Sequence, residues 1–129
     1  MAYLLVAIGG ALGSIARYWM TGAVASLTGP DFPWGTILIN ILGSFVIGLF
    51  AALVGIGGRF DASIELRAFV MAGLCGGFTT FSAFSLQTFA LIRDGRWLGA
   101  IANAGVSVGL CVAAVLLGYA VAGALGRST

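Results

Sequence analysis

Apolar residues run in four long blocks, separated by three short polar punctuations. The blocks cover approximately Tyr3–Leu27, Trp34–Gly57, Leu66–Ile92 and Trp97–Ala124. Each is long enough for the roughly 20 helical residues that cross a hydrocarbon core. The gaps at 28–33 (TGPDFP), 58–65 and 93–96 (RDGR) carry the Gly, Pro, Asp and Arg of turns at a membrane surface. Loops this short make consecutive helices antiparallel neighbours. The pattern predicts an all-α integral membrane protein, a single four-helix transmembrane domain over residues 1–129.

The third block departs from the others. Its segment GLCGGFTTFSAFS (residues 73–85) holds a Gly-Gly pair, then Thr79, Thr80, Ser82 and Ser85 among Phe78, Phe81 and Phe84. A helical glycine costs roughly 1 kcal/mol against alanine. In lipid, the backbone groups freed by an interruption must be met again by protein, water or an ion. The pair Gly76–Gly77 therefore predicts a helix broken in mid-membrane beside polar side chains, which marks a permeation or binding site. Carbonyls released over Gly76–Thr79 would form a hard-oxygen nest of the sort alkali cations prefer. Phe81 and Phe84, at i and i+3, share a face; such a stripe is usually core. Their ring edges are electropositive, so two of them could also line a narrow path for a small hard anion.

Composition confirms the environment. The chain is 60% hydrophobic and 8% charged, with mean hydropathy +1.12, whereas soluble domains carry about 25% charged residues. Met1-Ala2-Tyr3 has no basic stretch and the following apolar run is too long for a cleaved signal, so it reads as the first span. Cys75 and Cys111 are the two cysteines, both within spans, and histidine is absent. That removes thiolate–imidazole zinc sites and histidine-based catalysis, and leaves two thiols acting as small apolar residues. A net charge of +2 gives no ground for a nucleic-acid partner.

The distribution of charge is more telling. Asp31, Asp61, Glu65 and Asp94 all fall in or beside loops. No carboxylate stands in mid-membrane, where proton relays and cation-coupled carriers keep one. Apart from Arg67 at the very start of the third block, Arg17 is the sole charge inside a span; it can snorkel, tie carbonyls together or serve a pathway. An interior with arginine and no carboxylate suits an anion. Arg59, Arg67 and Arg127 fall on one side of the membrane, and Arg93 and Arg96 on the other, with Arg17 nearest them. This balance leaves the positive-inside rule nothing to act on. Insertion both ways would permit an antiparallel homodimer with its two-fold axis in the membrane plane.

Trp19, Trp34 and Trp97 should gather at one interface, as aromatic belts do. Small-xxx-small pairs (Gly9 with Gly13, Gly10 with Ser14, Ser44 with Gly48, Gly105 with Gly109) predict closely packed helices. Thr36, Asn40 and Ser44 lie at i, i+4 and i+8, and Asn103, Ser107 and Cys111 repeat that spacing. Such stripes make interhelical hydrogen bonds, and their N–H and O–H groups are also the donors a desolvated anion needs.

Together these residues resemble the small fluoride ion channels of the Fluc or CrcB family. GGALGSIARY (residues 9–18) resembles the family's first-span motif, WGTILINILGSFVIG (34–48) its second-span motif, and GLCGGFTTFSAFS its core motif. The likeness spans nearly the whole chain. It implies a passive fluoride-selective channel in the bacterial inner membrane, built as an antiparallel, dual-topology homodimer with two fluoride pathways. It also implies a structural sodium ion at the dimer centre, held by the carbonyls of Gly76 and Thr79. By motif position, Phe81, Phe84, Asn40 and Ser107 face the pathway, joined by Thr36 and Ser82, while Arg17 matches a basic residue near the end of the first span. Ala83, Gln87, Asn103 and Cys111 depart from the usual residues.

Two other classes compete. A small proton-coupled multidrug exporter also has four short spans, but needs a membrane-embedded carboxylate that this chain lacks. A membrane scaffold subunit would explain the glycines but not the break beside TTFS. No nucleophile–base pair or metal set can be assembled in the spans, so the sequence does not read as an enzyme.

Overall fold

Every regular element of the computed structural model, which describes residues 1–55, 58 and 60–127, is helical. Four stretches are long and apolar enough to cross a membrane: Ala2–Thr28, Trp34–Val54, Ile64–Arg93 and Trp97–Leu125. The expected second-span end at Gly57, and Arg59 after it, lie outside the described residues, as does the side chain of Arg127. We name α1 (Ala2–Thr28), α2 (Trp34–Val54), α3 (residues 64–78), α4 (Phe81–Arg93) and α5 (Trp97–Arg127). Helices α3 and α4 are the two halves of the third span.

The ends are set by local chemistry. Gly29 and Gly95 turn the chain after α1 and α4 with φ of 77° and 74°, which side-chain-bearing residues rarely adopt. Arg67 reaches back from the start of α3 to the Val54 carbonyl at the end of α2 and donates to the Ala62 carbonyl at 3.2 Å. A cation there meets the unpaired carbonyls of a helix C-terminus. Arg96 Nη1 donates to the Asp31 carbonyl at 2.6 Å, tying the first loop to the third. Trp19, Trp34 and Trp97 are all exposed; Trp34 and Trp97 open the helices that follow those two loops, whereas Trp19 lies nine residues before the end of α1.

Packing follows the small residues. Helix α2 lies along α5, and α1 along α3. A Cβ added at Gly48 would overlap the Val115 carbonyl, and one at Gly118 the Phe45 carbonyl, so α2 and α5 touch backbone to backbone. Gly13 does the same for α1 against Leu74 and Phe78. In lipid, where apolar burial drives helices together weakly, such close approach supplies the dispersion contact. Gly105 and Gly109 behave differently: a Cβ at either meets nothing within 4 Å among the described residues, so this pair makes no close helix contact there.

Candidate functional site

The third span does not break at its glycines. Gly76 is helical, with φ −63° and ψ −37°, and the helix continues through Phe78. The break lies at Thr79 (φ −84°, ψ 161°) and Thr80 (φ −154°, ψ 119°). Gly77 serves helix packing instead: a Cβ there would stand 2.5 Å from the Gly10 carbonyl oxygen and 2.9 Å from Gly10 Cα. Close contact with α1 outweighs the intrinsic cost of a helical glycine. The expected site of interruption is thus corrected by two to three residues.

What holds the break open is Asn40, from the neighbouring span. Its Oδ1 accepts from the Thr80 N–H at 2.8 Å, and its Nδ2 donates to the Thr80 carbonyl at 3.1 Å. Thr80 then caps α4, its Oγ1 accepting from the Ala83 N–H at 3.1 Å. In an unbroken helix the Thr80 N–H would bond to the Gly76 carbonyl, and the Ala83 N–H to the Thr79 carbonyl. Both donors are diverted, so these two carbonyls lose their intrahelical partners. The Thr79 carbonyl accepts instead from Arg17 Nη1 at 3.2 Å. Ser14 Oγ donates to the Gly77 carbonyl at 3.4 Å.

Two cavities flank this point, and Thr80 lines both. The first, about 330 Å³, brings together Asn40, Gly76, Thr79, Phe81, Phe84 and Ser107, with Ser44, Met71, Cys75 and Cys111. The Phe81 and Phe84 rings stand 5.2 Å apart at 45°. The second, about 380 Å³, collects Arg17, Thr36 and Ser82 with Thr21, Leu86 and Gln87. The nine residues singled out from sequence therefore form two groups, joined at the break rather than in one chamber. Phe81 is 76% exposed, so its ring forms an outer wall of the first cavity.

Residues 4–119 match the family described as CrcB-like protein, Camphor Resistance (CrcB). The chain belongs to the CrcB-like family. It is 55% identical over 127 residues to a protein of Methylocella silvestris, covering 98% of this chain and 97% of the relative. It is 54% identical over 119 residues to one of Rhodospirillum rubrum, covering 92% of each. It is 50% identical over 127 residues to one of Paramagnetospirillum magneticum, covering 98% and 99%. All three relatives are named fluoride-specific ion channel FluC. With four helices able to span a bilayer, this CrcB-like chain is a multi-pass membrane protein.

Three features of the CrcB-like site escaped the sequence reading. Residues Ala68–Cys75 of α3 are π-helical, a wider winding frequent at functional sites; no sequence signal marks it. The position of the break was signalled, because a Thr three residues before Ala83 at a helix start is an N-cap pattern. Gln87 Oε1 is buried on the second cavity without a hydrogen-bond partner among the described residues.

Proposed function

We propose that this chain is a passive, fluoride-selective ion channel of the bacterial inner membrane that lets fluoride leave the cytoplasm. What supports it is the meeting of Asn40, Phe81, Phe84 and Ser107 on one cavity, in a chain about half identical to proteins named for fluoride conduction. Fluoride is small and strongly hydrated, so a path must offer close donors to offset lost water. Asn40 keeps one N–H beyond those it spends on Thr80. Ser107 supplies a hydroxyl, and the two phenylalanines supply positive ring edges. Among the described residues Arg17 is the one charged side chain lining the neighbouring cavity, which favours anions at the mouth.

The functional unit is an antiparallel, dual-topology homodimer. A wall residue as open as Phe81 needs a second surface to close the path, and the balanced arginines permit both orientations. A structural sodium ion is held at the centre by the Gly76 and Thr79 carbonyls of both copies. Their chemistry fits: these are the hard oxygens that lost helical donors, although Arg17 already shares the Thr79 carbonyl. One protomer offers two such oxygens, an incomplete shell, and two copies offer four. Sodium would neutralise the partial negative charge of those carbonyls and fix the break.

Fluoride efflux from liposomes containing the purified protein, followed with a fluoride electrode, tests the reading. Rapid fluoride release with chloride retained is the expected result. Liposomes that release no fluoride, or release both halides equally, would overturn it. Unchanged release after complete replacement of sodium would remove the sodium ion from the proposal.

A further inference from the structure

We propose that Asn103 is a positioning residue for fluoride conduction, setting the donor direction of Ser107 and the seat of Phe84; this rests on the channel reading above. Asn103 is 1% exposed, one of the two most deeply buried large side chains, and lies behind the first cavity without lining it. It bridges α5 to α4. Its Nδ2 donates to Thr88 Oγ1 at 2.9 Å, and Thr88 Oγ1 donates to the Phe84 carbonyl at 2.8 Å. A threonine hydroxyl has one proton, and Thr88 spends it on Phe84, so it must accept from Asn103. That fixes the amide: nitrogen toward Thr88, oxygen toward Ser107.

Ser107 Oγ in turn donates to Asn103 Oδ1, at 3.4 Å. Good O–H···O bonds are about 2.7–2.8 Å long, so this proton is weakly held. Ser107 also lines the cavity. An anion arriving there offers a charge-assisted bond, roughly twice as strong as a neutral one, and draws the Ser107 O–H away from Asn103. Asn103 is thus the resting acceptor of a donor that turns toward fluoride and back. Through Thr88 the same amide ties the Phe84 turn of α4 to the Ser107 turn of α5. One buried side chain therefore keeps the ring edge and the hydroxyl in register.

The test measures fluoride and chloride flux in liposomes for wild type, Asn103→Leu, Thr88→Val and the double variant. Each single variant should lower fluoride flux about tenfold, the scale of one lost hydrogen bond, and reduce the fluoride-to-chloride ratio. The double variant should be no worse than the worse single, because one connection has been cut twice. Asn103→Asp adds a readout that packing alone would not move. As a carboxylate it cannot donate to Thr88 and repels the anion; protonated, it donates again. Its flux should recover several-fold on acidification from about pH 8 to about pH 5.5, with wild type flat and leak from protein-free liposomes subtracted. The native carboxylates sit in or beside loops, and Arg17 lines the other cavity, so that titration would belong to the introduced group. Wild-type flux and selectivity in both single variants, or a pH-flat Asn103→Asp, would overturn the proposal while leaving the channel intact. Absence of fluoride flux in wild type would overturn both.

Discussion

Replacing Asn40 by leucine, similar in size but without polar atoms, should collapse the break in the third span. Asn40 is the partner of both the N–H and the C=O of Thr80, at 2.8 and 3.1 Å. Leaving a buried polar group unmet costs about 1–3 kcal/mol, so two such groups bound the loss at about 2–6 kcal/mol. Interhelical side-chain bonds in membranes average only about 0.6 kcal/mol, because the separated helices find other partners. Backbone groups at a fixed break have no such alternatives in lipid, except water entering the cavity. The lower half of the range, about 2–4 kcal/mol, is therefore expected.

Asn40→Asp separates the two bonds. The carboxylate still accepts from the Thr80 N–H, but it faces the Thr80 carbonyl with an oxygen and no donor. It should cost less stability than leucine and yet lower fluoride flux more, because its charge faces the first cavity. Thermal melting in detergent and fluoride efflux from liposomes give the two orderings. If leucine melts like wild type and conducts at its rate, Asn40 does not hold the break, and the account of the freed carbonyls fails with it.

Phe81→Ile and Phe84→Ile keep bulk but remove the positive ring edge, so fluoride efflux should fall steeply while folding and membrane insertion survive; unchanged efflux would make both rings packing. Gly77→Ala should destabilise by about 1–3 kcal/mol, since its Cβ would press on the Gly10 backbone at 2.5 Å; Gly105→Ala meets nothing within 4 Å and should leave the protomer's melting unchanged. Three lysines added at the C-terminus should lock one orientation and abolish flux when that form is expressed alone; an active assembly of parallel subunits only would refute the antiparallel dimer.

The four spans were legible because hydropathy over 20 residues is a cumulative signal that no single residue can reverse. The first runs Ala2–Thr28 against an expected Tyr3–Leu27, and the third starts at Ile64 rather than Leu66. The break was legible in kind but not in place. Propensity reads Gly76–Gly77 as the weak point, yet a glycine's meaning depends on what faces it, and Gly10 stands against Gly77. The decisive contact, Asn40 with Thr80, joins residues forty apart in sequence. Spacing put Asn40, Thr36 and Ser44 on one face but could not say that Thr36 would line the other cavity. Likewise Asn103, Ser107 and Cys111 share a stripe, yet Asn103 is buried behind the cavity that the other two line.

The break explains why chemistry concentrates at one level of the bundle. An unbroken helix would consume the Thr80 and Ala83 N–H groups internally and present only side chains. Once Asn40 takes the first and Thr80 Oγ1 takes the second, the Gly76 and Thr79 carbonyls become available as acceptors. The same two-residue interruption restarts the helix at Phe81, and so sets the position from which Phe81 and Phe84 meet the cavity. The acceptors proposed for a cation and the positive edges proposed for an anion thus arise from a single local event, side by side. Opposite demands can coexist there because the carbonyls come before and at the break and the ring edges after it. Phe81 is about three-quarters exposed in the single chain, however, and one copy would offer the proposed sodium ion two freed carbonyls, an incomplete shell. In the proposed dimer a second copy at the level of the break would meet both deficits, and the lysine-tagged form is the variant that would deny it in antiparallel orientation.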